Sequence, residues 1–278
     1  MSELLVASKE IKLDERSKYL RKLILLALEG GKRGHIGSSM SLVEIIRVLY
    51  DSILKYDVTN LQSPARDRFI LSKGHGCLAL YALLADKKFI SDDDLKKFCH
   101  FHAMLGGHPD SKIPGVEVST GSLGHGLSIA VGMAIAAKMQ KKMHRIFVIM
   151  GDGELNEGSV WEGALCAAKH KLDNLVVIVD RNHLQSYDNS DVVLNLEPLV
   201  DKWKSFGFSA VEVNGHDIEA IEKELSRAPF ENQKPSILIC HTVKGKGIGM
   251  AEGIAAWHHK ASLSEIDIKN LHEQLDIQ

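Results

Sequence analysis

The chain has 278 residues, 45% of them hydrophobic and 25% charged, with a formal net charge of −2, the balance of a globular protein able to bury a substantial core. Runs of like charge are short, as at Asp92 to Asp94 and Lys141 to Lys142, which excludes the basic surface that nucleic acid binding needs. The start, MSELLVASKEIKLDE, lacks a continuous apolar segment, no window approaches the roughly 18 apolar residues of a membrane span, and Cys77, Cys99, Cys166 and Cys240 form no C-x-x-C, so the expected compartment is a reducing cytoplasm, with no membrane contact, redox motif or zinc ribbon.

Residues 14 to 29 place Tyr19, Leu20, Leu23, Ile24, Ala27 and Leu28 at helical spacing, and residues 41 to 55 do the same with Leu42, Ile45, Ile46, Leu49 and Ile53. The first third is therefore expected to be helical. A further short helix is predicted from Asp92 to Cys99 with Ser91 as its N-cap. From Ser122 to Gln140 the sequence is small and apolar on nearly every face, which predicts a helix buried against a sheet or another subunit.

The period then changes. RIFVIM (145 to 150) and NLVVIV (174 to 179) are short apolar runs rich in β-branched residues and bounded by Gly, Asp and Asn, as buried parallel strands are. Asn156 to His170 between them is helical in pattern, so residues 145 to 180 form one strand, helix, strand unit. The alternation continues with a strand at Ala210 to Val213, a helix at Ile218 to Ser226 and a strand at Ser236 to Thr242. An α/β fold is expected, a mostly parallel sheet with helices on both faces.

Ligands of such sheets gather at the carboxyl ends of the strands. One predicted strand ends in Gly151-Asp152-Gly153 and the next in Asp180-Arg181-Asn182-His183-Leu184. Gly151 and Gly153 allow close approach of a phosphate to the backbone, and the following helix start supplies N–H donors. Asp152 puts a negative charge where an anion should sit, which makes sense if a cation lies between them. Mg²⁺ fits, with Ca²⁺ or Mn²⁺ as substitutes: the Asp152 carboxylate, the Asn182 side-chain oxygen and the Leu184 carbonyl would be the protein's ligands, with diphosphate oxygens and water completing the shell. A G-D-G turn alone is often only a tight connection, but here an Asn follows about thirty residues on, across a single βαβ unit.

GDGELNEGSVWEG together with DRNHLQ resembles the transketolase family, and in particular the N-terminal, diphosphate-binding subunit of its split, two-gene versions. GHIGSSMSLVEI, LSKGHGCLALYALL, GGHPDSKIPGVEVSTGSLGHG and WHHKA match in the same order and spacing, so the resemblance covers almost the whole chain. It implies a single thiamine diphosphate-binding domain over residues 1–278 with a helical N-terminal segment. It also implies the cofactor pair thiamine diphosphate and Mg²⁺, held by Asp152, Asn182 and Leu184. The Gly151 turn, the Gly153 amide and His75 would meet the diphosphate, while Gly121, Ser122 and Leu123 line the rings. His35, His108 and His258 match histidines that bond the hydroxyls of the donor sugar, His258 also reaching the cofactor; an unperturbed pKa of about 6.5 suits imidazole to proton transfer near neutrality. Glu157 matches the glutamate that crosses the dimer interface and links two cofactor sites, and Glu162 matches less well.

For the remaining histidines a surface or satisfied core position is the simpler reading, including His100 and His102 beside Cys99, where a fourth metal ligand is lacking, and His216, where Asp217 reads as a helix N-cap. The sequence departs from full-length relatives at Lys73 (commonly Asn), His125 (commonly Gln) and His259 (commonly Gly); the last two bear on substrate preference. In the family, the glutamate that activates the cofactor and the basic residues that grip the sugar phosphate belong to the second half of the polypeptide. The implied enzyme is a transketolase moving a two-carbon ketol unit between sugar phosphates, active only with a C-terminal subunit carrying the pyrimidine-binding domain, in an α2β2 heterotetramer. A dedicated enzyme for an unusual or branched sugar, the α subunit of a 2-oxoacid dehydrogenase and a non-catalytic assembly subunit are the alternatives.

Overall fold

The computed structural model describes residues 3–277, so Met1, Ser2 and Gln278, the ends of the expected domain span, lie outside the described residues. Among the described residues five strands form one parallel sheet: β1 (Arg68–Leu71), β2 (Ile146–Gly151), β3 (Leu175–Arg181), β4 (Ser209–Asn214) and β5 (Ser236–His241), in the order β1-β2-β3-β5-β4. Every residue of β2, β3 and β5 is buried, which is why they read as continuous apolar runs rather than alternating ones. Alternate residues serve opposite layers. Phe147, Ile149, Val176, Ile178, Leu238 and Cys240 enter one core, while Ile146, Val148, Met150, Val177, Val179, Ile237 and Ile239 enter the other.

The helices in chain order are α1 (Glu3–Glu10), α2 (Glu15–Gly31), α3 (Ile36–Met40), α4 (Val43–Val48), α5 (Cys77–Asp86), α6 (Asp92–Lys96), α7 (Gly126–Met139), α8 (Gly158–Lys169), α9 (Ser190–Val193), α10 (Leu199–Ser205), α11 (Ile218–Ser226) and α12 (Glu265–Ile277). α2, α4, α5, α11 and α12 pack on the first face; α7, α8 and α10 pack on the second. The connection β1 to β2 runs through α5 on the first face and then α7 on the second, β2 to β3 and β3 to β4 use the second face through α8 and α10, and β4 returns to β5 through α11 on the first. That change of side falls between β3 and β5, where open α/β sheets form their ligand crevice.

Several expectations need correction. The helical first third contains β1, a four-residue edge strand too short to announce itself. The segment predicted as a helix over 41 to 55 is α4 followed by a wider π-turn at Leu49–Ile53. Tyr19 is exposed although its spacing puts it on the buried side of α2. The helix after Ser91 has the predicted N-cap, with a full capping box to Asp94, but stops at Lys96 because Cys99 turns left-handed (φ 57°). α7 begins at Gly126 rather than Ser122; it packs on the sheet as expected, through Leu127, Ala130, Val131 and Ala134, while Ser128, Ile129 and Gly132 face outward.

Candidate active site

The carboxyl ends of β1, β2, β3 and β5 converge on a cleft of about 240 Å³, whose lining includes His35, His75, His108, Gly121, Leu123, Gly151, Asp152, Gly153, Asn182, Leu184 and His258. Of the residues singled out in the sequence, Ser122 and Glu157 do not line it. Ser122 is exposed, and Glu157 stands exposed at the N-cap of α8 rather than inside the helix, its backbone extended (φ −76°, ψ 124°). Glu162 is exposed as well. A larger cavity of about 610 Å³ on the other side of the β3 loop shares Asn182, Leu184 and Lys244. The smaller one holds the G-D-G turn together with His35, His75, His108 and His258.

The two glycines of the G-D-G turn differ in their surroundings: a Cβ on Gly153 would come within 2.9 Å of the Gln185 side chain, whereas Gly151 has open space beside it. Neither Gly151 nor Gly153 has a positive φ, and a Cβ on Gly151 would meet only Lys73, at 3.7 Å. Gly124 is different: at φ 78° its Cβ would come within 2.6 Å of Glu157, so that loop tolerates no side chain.

Asp152 is 2% exposed. Its Oδ2 accepts from the His183 amide (2.7 Å), Ser190 Oγ (3.1 Å) and Arg181 (3.2 Å), and its Oδ1 from the Gly153 amide (2.8 Å). Oδ1 keeps acceptor capacity for a cation. Asn182 donates its amide to Asp180 Oδ2 (3.1 Å) and accepts at Oδ1 from the Leu184 N–H (3.2 Å). The Leu184 carbonyl receives the Lys244 ammonium at 2.7 Å. It already serves as the ligand of a positive charge. Carboxylate, amide and carbonyl oxygens in one cleft are the hard donor set that Mg²⁺ takes, and the residues fit a metal-bound diphosphate. Among the described residues no group of three or more His, Cys, Asp or Glu is arranged to hold a metal. Cys99, His100 and His102 therefore form no such site; His100 instead bonds the Gly30 carbonyl at 3.0 Å.

The histidines form one wall. The His35 ring lies 5.4 Å from His75, 5.8 Å from His108, 5.5 Å from His258 and 4.5 Å from His259. His259 thus joins the cluster, whereas His125 is exposed and bonds the carbonyl of Leu123 in its own loop (2.9 Å). Behind the wall, buried Lys73 is ion-paired with Asp180, which also accepts from Ser41 and Thr242. Burial opposes ionisation of Asp180, but Lys73 and these hydroxyls hold its pKa below the usual range. Asp152 is pushed the other way: burial raises it, against the pull of Arg181.

These surroundings hold the histidines of the free chain below the ordinary imidazole value. Burial, with His259 and His108 adding to it, lowers His35 to about 4. Burial, Lys244 and His35 lower His258 to about 3, and His75 is held well below its ordinary value by burial and Lys73. Lys244 itself is lowered to about 8, by burial and then by Lys73. With the histidines held neutral, the charged lining is Lys73 and Lys244 beside Asp152 and Glu154, so the cleft offers ammonium and imidazole groups to a diphosphate together with carboxylate oxygen for a cation.

Sequence reasoning missed Lys244, Glu154 and Ser38, whose carbonyl accepts from Lys73 Nζ at 3.2 Å. Lys244 could have been found, since HTVKGKG follows β5 just as GDG follows β2. Glu154 and Ser38 carry no pattern. His216 was expected to be an ordinary turn residue, yet its ring is buried between Glu44 Oε2 (2.7 Å) and the Val243 amide (2.9 Å), while Asp217 caps α11 as expected, accepting from Ala220 N.

The parallel sheet with its cleft at the carboxyl edge is the fold of a thiamine diphosphate binding domain. The chain belongs to the transketolase family: residues 14–278 match its thiamine diphosphate binding domain. It is 43% identical to an apulose-4-phosphate transketolase subunit of Phocaeicola vulgatus, over 91% of this chain and 90% of that one. It is 37% identical to a 6-deoxy-6-sulfo-D-fructose transketolase subunit of a Clostridium species, over 94% of this chain and 98% of that one. Among solved structures, the transketolase of Campylobacter jejuni superposes with a TM-score of 0.84 at 32% identity over 99% of this chain and 43% of that chain. That of Pichia stipitis gives 0.86 at 29% identity over 94% and 40%. The chain therefore spans about two fifths of these full-length transketolases and nearly all of the subunit-type relatives. No helix among the described residues is long and apolar enough to cross a membrane.

Proposed function

We propose that this chain is the diphosphate-anchoring subunit of a two-subunit transketolase, which transfers a two-carbon ketol unit from a ketose phosphate to an aldose phosphate. The observation that carries the reading is the meeting, in one cleft, of the Asp152, Asn182 and Leu184 oxygens with the His35, His75, His108 and His258 wall. Asp152, Asn182 and Leu184 would hold Mg²⁺; the Gly153 amide, His75, Lys73 and Lys244 would meet the diphosphate; Gly121 and Leu123 would flank the rings. When bound, thiamine diphosphate supplies the carbon nucleophile that simple side chains lack.

The chain's own share is to bind, orient and move protons. His35, His108 and His258, neutral in the free chain, accept hydrogen bonds from sugar hydroxyls. Diphosphate bound beside them would raise their proton affinity and let them carry protons during transfer. Glu157, exposed at the N-cap of α8, is placed for contact with another subunit. The subunit-type relatives are nearly the same length as this chain, which supports a separate pyrimidine-domain partner, here proposed as α2β2, in the cytoplasm. Two of them are named for apulose 4-phosphate and for 6-deoxy-6-sulfo-D-fructose, which supports an unusual donor sugar over a central pentose phosphate. Assaying the reconstituted pair with xylulose 5-phosphate plus ribose 5-phosphate, with branched and sulfonated ketoses, and with pyruvate plus an electron acceptor tests this. Ketol transfer from one of the ketoses is expected; oxidation of pyruvate alone would refute it.

A further inference from the structure

Glu154 lies two residues beyond Asp152, in the single 3₁₀ turn Gly153–Asn156. It is 1% exposed and has no ion-pair partner among the described residues' salt bridges; its carboxylate is instead saturated by neutral donors from three segments. Oε1 accepts from Ser72 Oγ and from the Gly124 amide (2.9 Å), and Oε2 accepts from the Gly151 amide (3.2 Å). Ser72 extends the chain of bonds by accepting from the Gly126 amide (3.2 Å), the first residue of α7.

Each segment that Glu154 holds carries residues of the cleft. Ser72 precedes Lys73 and His75 at the end of β1; Gly151 opens the G-D-G turn at the end of β2; Gly124 closes the loop that bears Gly121 and Leu123. The contacts leave no slack, because a Cβ at Gly124 would collide with Glu157 and one at Gly126 with Ser72. A carboxylate suits the position because it is an acceptor only, with two oxygens; an amide would turn its NH₂ against one of the three donors.

We infer that Glu154 is a positioning residue for the cofactor: it fixes the Gly121–Leu123 edge of the cleft relative to the Gly151–Gly153 turn, so that the slot for thiamine diphosphate is set before the cofactor arrives. The inference rests on the reading of the cleft as a thiamine diphosphate site. It acts through backbone amides, so it governs cofactor affinity rather than the turnover of the loaded enzyme.

The test uses the two-subunit complex at fixed Mg²⁺, with thiamine diphosphate affinity from calorimetry, turnover at saturating cofactor, and amide exchange over residues 120–127. Glu154→Gln is expected to weaken the cofactor about tenfold and Glu154→Ala about a hundredfold, with turnover at saturation within about twofold. Exchange should rise in residues 120–127 and not elsewhere. Ser72→Ala, which removes one of the bonds and leaves the carboxylate in place, is expected to weaken binding several-fold and keeps the test decisive if Glu154→Ala does not fold. Folded variants with wild-type affinity, or a loss of protection spread evenly over the chain, would overturn the inference. Failure of the wild-type complex to bind thiamine diphosphate would overturn the underlying reading instead.

Discussion

Lys244 donates to the backbone carbonyl of Leu184 at 2.7 Å, so the oxygen proposed as a metal ligand is held in the ligand-free chain by the protein's own cation. The same ammonium lies in the cleft with Lys73 and is lowered to about 8 by burial and by that neighbour. Replacing it should relieve the free chain and penalise the loaded one. For Lys244→Met the melting temperature of the free chain is expected to hold or rise, while thiamine diphosphate affinity in the two-subunit complex falls about ten- to a hundredfold, through the lost charge-assisted contact. Differential scanning fluorimetry and calorimetry read the two effects separately.

The pair of Lys73, which lines the cleft, and Asp180 beneath it is 1% and 0% exposed, and truncation of its two partners is expected to be unequal. Without Asp180, Lys73 is left as an unpaired buried cation, and Ser41, Thr242 and the Asn182 amide lose their acceptor. Asp180→Ala is expected to destabilise the chain by about 3–5 kcal/mol. Lys73→Met leaves Asp180 with those three neutral donors and should cost less. Urea unfolding of the free chain gives the comparison, and equal losses would contradict the assigned roles.

The lowered histidines predict a pH dependence of stability. His35 (about 4) and His258 (about 3) bind protons less readily folded than unfolded, so the unfolded state takes up more protons as the pH falls. Stability is then complete above the unfolded value of about 6.5 and declines as the pH drops toward the folded values. The midpoint of thermal unfolding should fall between about pH 6.5 and 5 in the free chain, and by less with thiamine diphosphate bound in the complex, because the diphosphate favours the protonated rings. A midpoint that is flat over this range would contradict the description of the cleft.

His259 stands against His35 at 4.5 Å on the exposed side of the histidine wall. Its proposed contribution is to the sugar and not to the diphosphate. His259→Gly is expected to change the ratio of kcat/KM between two ketose donors by about tenfold, with cofactor affinity within about twofold. A uniform loss across donors would assign it to general packing.

The architecture was largely legible because β2, β3 and β5 are buried on both sides and write that burial as unbroken apolar runs. The Asp152 to Asn182 spacing was legible for a related reason: both residues follow such runs directly. β1 was not, since four residues led by an arginine look like any short polar-flanked stretch. The partners of the cleft were harder still. Lys244, Asp180 and Glu154 are ionisable residues whose burial depends on contacts far away in sequence, and a charged residue in a turn-like segment otherwise reads as solvated. The histidine wall gathers residues from 35 to 259, a distance over which spacing carries no information; only resemblance to the family assembled it. Even then the resemblance gave their identities and not their electrostatic state, which is set by Lys73, Lys244 and burial.

The central claim is that this chain anchors the cofactor while catalysis requires a second polypeptide. Ketol transfer measured for the purified chain alone, and again after adding its pyrimidine-domain partner with thiamine diphosphate and Mg²⁺, tests it most directly. No transfer is expected from the chain alone, and cofactor-dependent transfer from the pair, abolished by Asp152→Ala; transfer by the chain alone would show that no second polypeptide is needed.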